Sequence, residues 1–132
     1  MSSLDADAEY WAALRAGRLT LPRCGGCDRW QWPAVSRCGE CGSWDSVWHD
    51  VEPVGTIYTW SRTHHPFAGT EKVEKPYVSV LVELAGADGV RLLGRYDATA
   101  GAPRIGDPVR ADIASFPYLD REIPALRWSP AR

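Results

Sequence analysis

The sequence predicts a mainly β protein in three parts: an N-terminal helix, a cysteine-rich ribbon and a small five-stranded barrel. Two pairs of closely spaced cysteines lie between residues 24 and 41, and five short runs rich in β-branched and aromatic residues follow Pro53. Gly, Pro and Asp separate those runs, which is typical of short strands in a closed or nearly closed barrel. Because 132 residues make about one small domain, we expect compact segments at 1–17, 18–50 and 51–132.

The N-terminal segment predicts a short helix from Asp5 to Gly17. It has an acidic first turn, an Ala-rich interior and a glycine where the helix would stop. Tyr10, Trp11 and Leu14 fall on a single apolar face. Since so short a helix is marginal alone, that face must dock. Two interpretations stay open, namely that the face covers its own chain, which we favour, or that it meets a partner chain.

The strongest motif is C-x2-C-x10-C-x2-C, formed by Cys24, Cys27, Cys38 and Cys41. Two residues between thiolates let one tight turn present both sulfurs to a tetrahedral ion, and the intervening glycines permit such turns. Four thiolates close the coordination shell, so we expect a structural zinc, with iron or oxidised cysteines as the alternatives. Four tryptophans flank the motif and are expected to shield the thiolates or dock the ribbon: Trp30, Trp32, Trp44 and Trp48.

The five predicted strands are GTIYTWSRT, YVSVLVEL, GVRLLGRY, PVRADI and IPALRW. In the second, alternate residues from Val78 to Leu84 share one apolar face. The stretch GADG after Leu84 can close a hairpin. The connection at residues 64–76 is longer than a barrel turn needs, and loops of that length are often functional or mobile.

Charge and motif content exclude several classes of function. With 15 basic and 17 acidic residues the net charge is −2, which argues against a groove that follows nucleic-acid phosphates. The chain begins without a secretory signal pattern and contains no apolar run long enough for a membrane span, so we expect a cytoplasmic protein. GxSxG, HExxH, P-loop and GxGxxG patterns are absent, and four cysteines are assigned to metal, so independent catalysis is not expected.

The order of motifs resembles a known family. YWAALRAGRL is followed by LPRCGGCDRWQWPAVSRCGECGS, VEPVGTIYTWSRTHHPF, PYVSVLVEL, RLLGRY and IGDPVRADI. Over nearly the whole chain, this order is similar to the family called domain of unknown function thirty-five. The resemblance implies a rubredoxin-like zinc ribbon joined to an OB-fold. It also implies a non-catalytic partner of thiolase-like enzymes, which include lipid-transfer-type thiolases and aldolases that cleave steroid-CoA side chains.

The resemblance carries over the four cysteines as metal ligands and implies a CoA thioester site shared with the partner, for thiolysis or retro-aldol cleavage. The family's loop segment matches His64 to Phe67, where a partner or ligand surface is expected. Aromatic walls and one or two cations would suit CoA. The candidates for CoA or partner binding are Arg62, His64, His65, Phe67, Tyr77 and Arg95. The alternatives are a nucleic-acid-binding ribbon and OB module and rubredoxin-type electron transfer.

Overall fold

A computed structural model describes residues 6–131. Helix α1 spans Ala8–Arg15, and the strands are β1 Thr20–Cys24, β2 Ser46–Asp50, β3 Val54–Thr63, β4 Tyr77–Leu84, β5 Arg91–Tyr96, β6 Pro108–Tyr118 and β7 Arg121–Pro130. The start predicted for the helix, Asp5, lies outside the described residues, as does the last residue of the chain. The mainly β architecture with an N-terminal helix confirms the predicted fold class.

Helix α1 packs on its own chain, against β1 and β7. Tyr10 and Leu14 are buried, and the Tyr10 ring centroid lies 4.5 Å from that of Trp32. Trp11 is only partly buried. The helix ends just before Gly17, whose φ of +86° lies in the left-handed region that glycine adopts without strain. The interpretation in which the helix covers its own chain therefore describes the structure.

Strands β1 and β2 form an antiparallel hairpin that carries the ribbon, with Thr20 opposite Asp50 and Cys24 opposite Ser46. Its open end is held by Asp50 Oδ1, which accepts hydrogen bonds from Arg18 Nη1 at 2.7 Å and Thr20 Oγ1 at 2.8 Å. The Thr20 hydroxyl, together with the Arg18 charge, lowers the pKa of the Asp50 carboxyl. The ribbon is thus anchored at both ends, by this polar cluster and by the cysteines.

The barrel is closed, in the order β3-β4-β5-β7-β6. All neighbours are antiparallel except β5 and β7, which are parallel. Strand β4 has the bounds that the sequence predicts, and Val80, Val82 and Leu84 point into the core. The predicted β4–β5 hairpin is present and turns through Asp88, whose φ is +53°. The largest fully buried side chain is Trp128 on β7.

Strands β6 and β7 extend beyond the barrel and beyond the runs that the sequence predicts. Their pairing continues through residues 114–125, where the described structure pairs neither strand with β3 or β5. We call residues 114–125 the arm. At its tip Tyr118 packs over Gly69, and the Leu119 N–H donates to the Gly69 carbonyl at 3.3 Å. The arm therefore holds the long 64–76 loop. Within residues 6–131, no helix is long and apolar enough to cross a membrane.

Candidate functional site

The four cysteine sulfurs converge at one point. All lie within 4.8 Å of one another, with Sγ of Cys24 3.5 Å from that of Cys41 and Sγ of Cys27 3.8 Å from that of Cys38. A tetrahedral zinc with Zn–S distances of about 2.3 Å requires sulfurs about 3.8 Å apart. A disulfide would require about 2.05 Å. The donor set therefore fits a tetrathiolate metal ion and does not fit oxidised cysteines.

Backbone amides lower the pKa of two of these thiols, Cys24 and Cys38. The Gly26 N–H donates to Cys24 Sγ at 3.3 Å, and a Cβ at Gly26 would lie 3.1 Å from Cys41 Sγ, so the turn leaves little room for a side chain. The N–H groups of Cys41 and Glu40 donate to Cys38 and lower the pKa of its thiol to about 6. Because the thiolate is the ligand form, these amides favour the charge that the metal neutralises.

Three of the four flanking tryptophans pack as expected. Trp30, Trp32 and Trp48 lie against the core, and Arg23 stacks on Trp30 with its Cζ 5.2 Å from the ring centroid. Trp44 differs, because 72% of its surface is exposed. It follows the second cysteine pair and precedes β2, and the Arg37 guanidinium carbon lies 5.6 Å from its ring centroid.

A groove of about 530 Å³ opens where β3 ends and β4 begins. Arg62, Tyr77 and Tyr96 line it together with Lys75 and Asp97. Two of the three N–H donors of the Lys75 ammonium are used within the long loop, where they bond to the carbonyls of residues 70 and 73. Arg62 places a guanidinium in the groove. This side chain forms no ion pair within residues 6–131. Within residues 6–131, the groove thus combines a guanidinium that forms no ion pair with aromatic walls.

Arg95 lies beside this groove on the outer surface of the barrel. Its guanidinium carbon is 3.7 Å from the Tyr77 ring centroid and 5.7 Å from that of Phe116. Burial lowers the pKa of Arg95, yet the side chain forms no ion pair within residues 6–131. Tyr77 therefore borders both the groove and the guanidinium.

The other three predicted binding residues lie apart from this cluster. His64, His65 and Phe67 are exposed on the long loop and do not line the groove, and the rings of His65 and Phe67 stack edge-on at 4.5 Å. The structure therefore brings together Arg62, Tyr77 and Arg95 but not the loop residues. Tyr96 and Phe116 were not among the predicted binding residues, because only the strand register places their rings near Tyr77.

Two family models match the chain. One is described as the ChsH2 rubredoxin-like zinc ribbon domain, at residues 11–45, and the other as the ChsH2 C-terminal OB-fold domain, at residues 48–114. The chain belongs to the ChsH2 family. Together with the converging sulfurs, this establishes a zinc ribbon whose four cysteines are positioned to bind a metal ion.

Known relatives agree with this ChsH2-family assignment. The probable enoyl-CoA hydratase alpha subunit of Thermomonospora curvata is 34% identical over an alignment of 119 residues. The match covers 83% of this chain, and the chain spans 35% of that protein's length. A solved chain described as Ltp2-ChsH2(DUF35) aldolase is 29% identical, with a TM-score of 0.83 and full coverage of both chains. A DUF35 protein of unknown function from Sulfolobus solfataricus, at 18% identity, 97% and 87% coverage and a TM-score of 0.62, shows the fold alone. The predicted resemblance to domain of unknown function thirty-five is confirmed.

Proposed function

We propose that this ChsH2-family chain is a non-catalytic accessory subunit of an acyl-CoA-processing complex. The observation that carries the proposal is its full-length superposition on a chain of the Ltp2-ChsH2 aldolase, at a TM-score of 0.83. The relative from Thermomonospora curvata supports the acyl-CoA part of the proposal, because its name describes one subunit of an enoyl-CoA hydratase. Both relatives are described as parts of enzymes. The name of the second one indicates that its substrate is a CoA thioester.

The side chains of the described residues support a non-catalytic role. All four cysteines belong to the metal cluster, so none is available as a thiolate nucleophile. His64 and His65 are exposed on the loop, and His49 packs edge-on against Trp30 at 5.8 Å. A general base works when it is held within hydrogen-bond reach of a reacting group in a formed site. These histidines lack such a site, so the reacting groups are expected on a partner.

The proposed partner is a thiolase-like subunit of the lipid-transfer type, and the proposed reaction is retro-aldol cleavage of a 3-hydroxyacyl-CoA. The word aldolase in the name of the structural neighbour favours this reaction over thiolysis. Cleavage breaks the bond between the α and β carbons, removes the hydroxyl proton and returns a proton to the α carbon. The partner's acid and base carry out both proton transfers, and the ChsH2-family chain shapes the site around the thioester.

The groove at Arg62 is the proposed CoA contact of this chain. Its volume of about 530 Å³ lies within the range of about 300–1,000 Å³ typical of small-molecule sites. Tyr77 and Tyr96 provide rings against which the adenine or the pantetheine arm can pack, and Arg62 provides a guanidinium for a phosphate. Since Glu74 and Asp97 also line the groove, the phosphate is expected at the Arg62 rim and away from those carboxylates.

The test is reconstitution with the thiolase-like subunit of the native host. The two chains are co-expressed and purified together, and release of the carbonyl product from 3-hydroxyacyl-CoA thioesters is measured. We expect cleavage by the complex and none by this chain alone. Arg62→Ala should raise the KM for the thioester, while Arg104→Ala, an exposed arginine outside the groove, should leave it unchanged. Cleavage by this chain alone would contradict the proposal.

A further inference from the structure

The outer surface of β5 carries apolar and cationic side chains that do not pack into the barrel core. Arg91, Leu93 and Arg95 alternate outward along this strand, with Leu93 opposite Leu81 of β4. Leu93 is 64% exposed. Tyr58 is also exposed, and the Arg91 guanidinium stacks on its ring at 3.7 Å. A partner that covers this surface would take the apolar groups of Leu93 and Tyr58 out of water.

Three arginines lie on this surface, and one of them forms no ion pair within the described residues. Arg91 pairs with Glu83 at 3.4 Å, and Arg127 pairs with Asp112 at 2.6 Å. Arg95, the neighbour of Arg127 across the β5–β7 ladder, pairs with none of the carboxylates in the described part of the chain. Glu83 and Asp112 are thus engaged by Arg91 and Arg127, and within residues 6–131 the Arg95 guanidinium has no ion-pair partner.

The Arg95 guanidinium is also held in place before any ligand arrives. Its carbon lies 3.7 Å from the ring centroid of Tyr77 and 5.7 Å from that of Phe116 in the arm. Stacking fixes a plane and leaves the N–H edge for a planar, bidentate acceptor, which is the geometry that a carboxylate offers. Because the side chain is already ordered, binding costs less conformational entropy than it would for a free arginine.

We propose that Tyr58, Tyr77, Leu93, Arg95 and Phe116 form the docking surface for the thiolase-like subunit, with Arg95 receiving a carboxylate of that subunit and Leu93 an adjacent apolar side chain. We call these five residues the arginine face. Charge complementarity supports this occupant, since the positive charge of Arg95 has no ion-pair partner among residues 6–131. Tyrosine, phenylalanine and arginine are also the residues enriched at the centres of protein interfaces. The inference rests on the proposed function and identifies the surface that the partner binds.

The position of the arginine face explains how a partner could complete the groove. Tyr77 belongs to the arginine face and also lines the groove at Arg62. A subunit docked on Leu93 and Arg95 would therefore extend along one wall of that groove. The thioester would then be enclosed between the two chains, with the reacting carbons on the partner's side.

The test measures the affinity of zinc-loaded variants for the thiolase-like subunit that co-purifies with the wild-type chain, expressed and purified separately, by titration calorimetry. We expect Arg95→Glu to weaken binding by about 100-fold or more and Arg95→Lys by about 10-fold. Arg104→Glu, with the same charge change away from the arginine face, should bind like wild type. Leu93→Ser changes an exposed residue and should weaken binding without lowering zinc content or melting temperature, which keeps the test open if Arg95→Glu folds poorly.

Two results would overturn the inference while the proposed function stands. One is an Arg95→Glu or Leu93→Ser variant that binds the subunit as tightly as Arg104→Glu does. The other is loss of free CoA affinity in Arg95→Glu with subunit affinity unchanged, which would assign the guanidinium to a CoA phosphate. A wild-type chain that binds no thiolase-like subunit would overturn the proposed function, and the inference with it.

Discussion

A single methyl group added at Gly94 is expected to strain the barrel core directly beneath the arginine face. Gly94 faces inward from β5, and a Cβ there would lie 2.6 Å from Nε1 of Trp128 and 3.0 Å from the Leu126 carbonyl oxygen. Ordinary contact begins at 3.4 Å, so the fully buried indole must shift by about 0.8 Å. Overpacking of this kind costs about 1–3 kcal/mol. Alanine recovers about 0.5–1 kcal/mol of backbone entropy relative to glycine, so the clash dominates.

We therefore expect Gly94→Ala to lower the free energy of unfolding by about 1–2 kcal/mol. The assay is urea denaturation of the zinc-saturated protein, followed by far-ultraviolet circular dichroism. Gly86→Ala is the control, because its Cβ would meet Val51 at an ordinary 3.6 Å. In a Trp128→Phe background, which removes the indole nitrogen, the cost of Gly94→Ala should fall by half or more. A neutral or stabilising Gly94→Ala, or an equal cost in both backgrounds, would refute the packing argument.

Three further predictions concern the metal, the helix and the loop. Cys24→Ser should reduce zinc from one ion per chain to near zero by elemental analysis and unfold the ribbon, because structural zinc supplies about 10–16 kcal/mol of folding energy; full zinc occupancy would contradict this. Burial raises the pKa of the Tyr10 hydroxyl to about 12, so the hydroxyl ionises at a lower pH in the unfolded state than in the folded state. The resulting contribution to the free energy of unfolding is complete below pH 10 and is lost as the pH rises towards 12. At pH 11 the loss should be about 1 kcal/mol by urea titration, and an unchanged pH dependence in Tyr10→Phe would disprove the assignment. Gly69→Ala places a Cβ 2.6 Å from Tyr118 at a φ of +91°, so the long loop should be cleaved faster by trypsin at unchanged zinc content; wild-type cleavage rates would show that the arm does not hold the loop.

The features that the sequence predicts correctly are those encoded by nearby residues. The cysteine pairs belong to tight turns, so their spacing is enough to predict the metal site. Strand β4 alternates apolar and other residues over its full length, so its bounds are also recoverable. The ribbon hairpin is different, because β1 contains Pro22 and pairs with a strand that starts more than twenty residues later. Prolines at 117 and 124 likewise conceal the arm, since proline weakens a strand signal.

The candidate binding surface was only partly predictable for the same reason. Tyr77, Arg95 and Phe116 come from β4, β5 and β6 and meet only through the strand register of the closed barrel. His65 and Phe67, by contrast, are neighbours in a loop motif, and the structure leaves them exposed and away from the groove. A motif in the sequence identifies neighbours along the chain, whereas side-chain juxtaposition across strands requires the register.

The central claim, that this ChsH2-family chain works as a zinc-bearing accessory subunit, is tested most directly by affinity capture of the tagged chain from its native host. Zinc content, native mass and the identity of co-purifying chains are read from the same sample. The account predicts one zinc per chain and a thiolase-like subunit in a hetero-oligomer. A zinc-loaded monomer with no such subunit, or a complex with nucleic acid in its place, would contradict it.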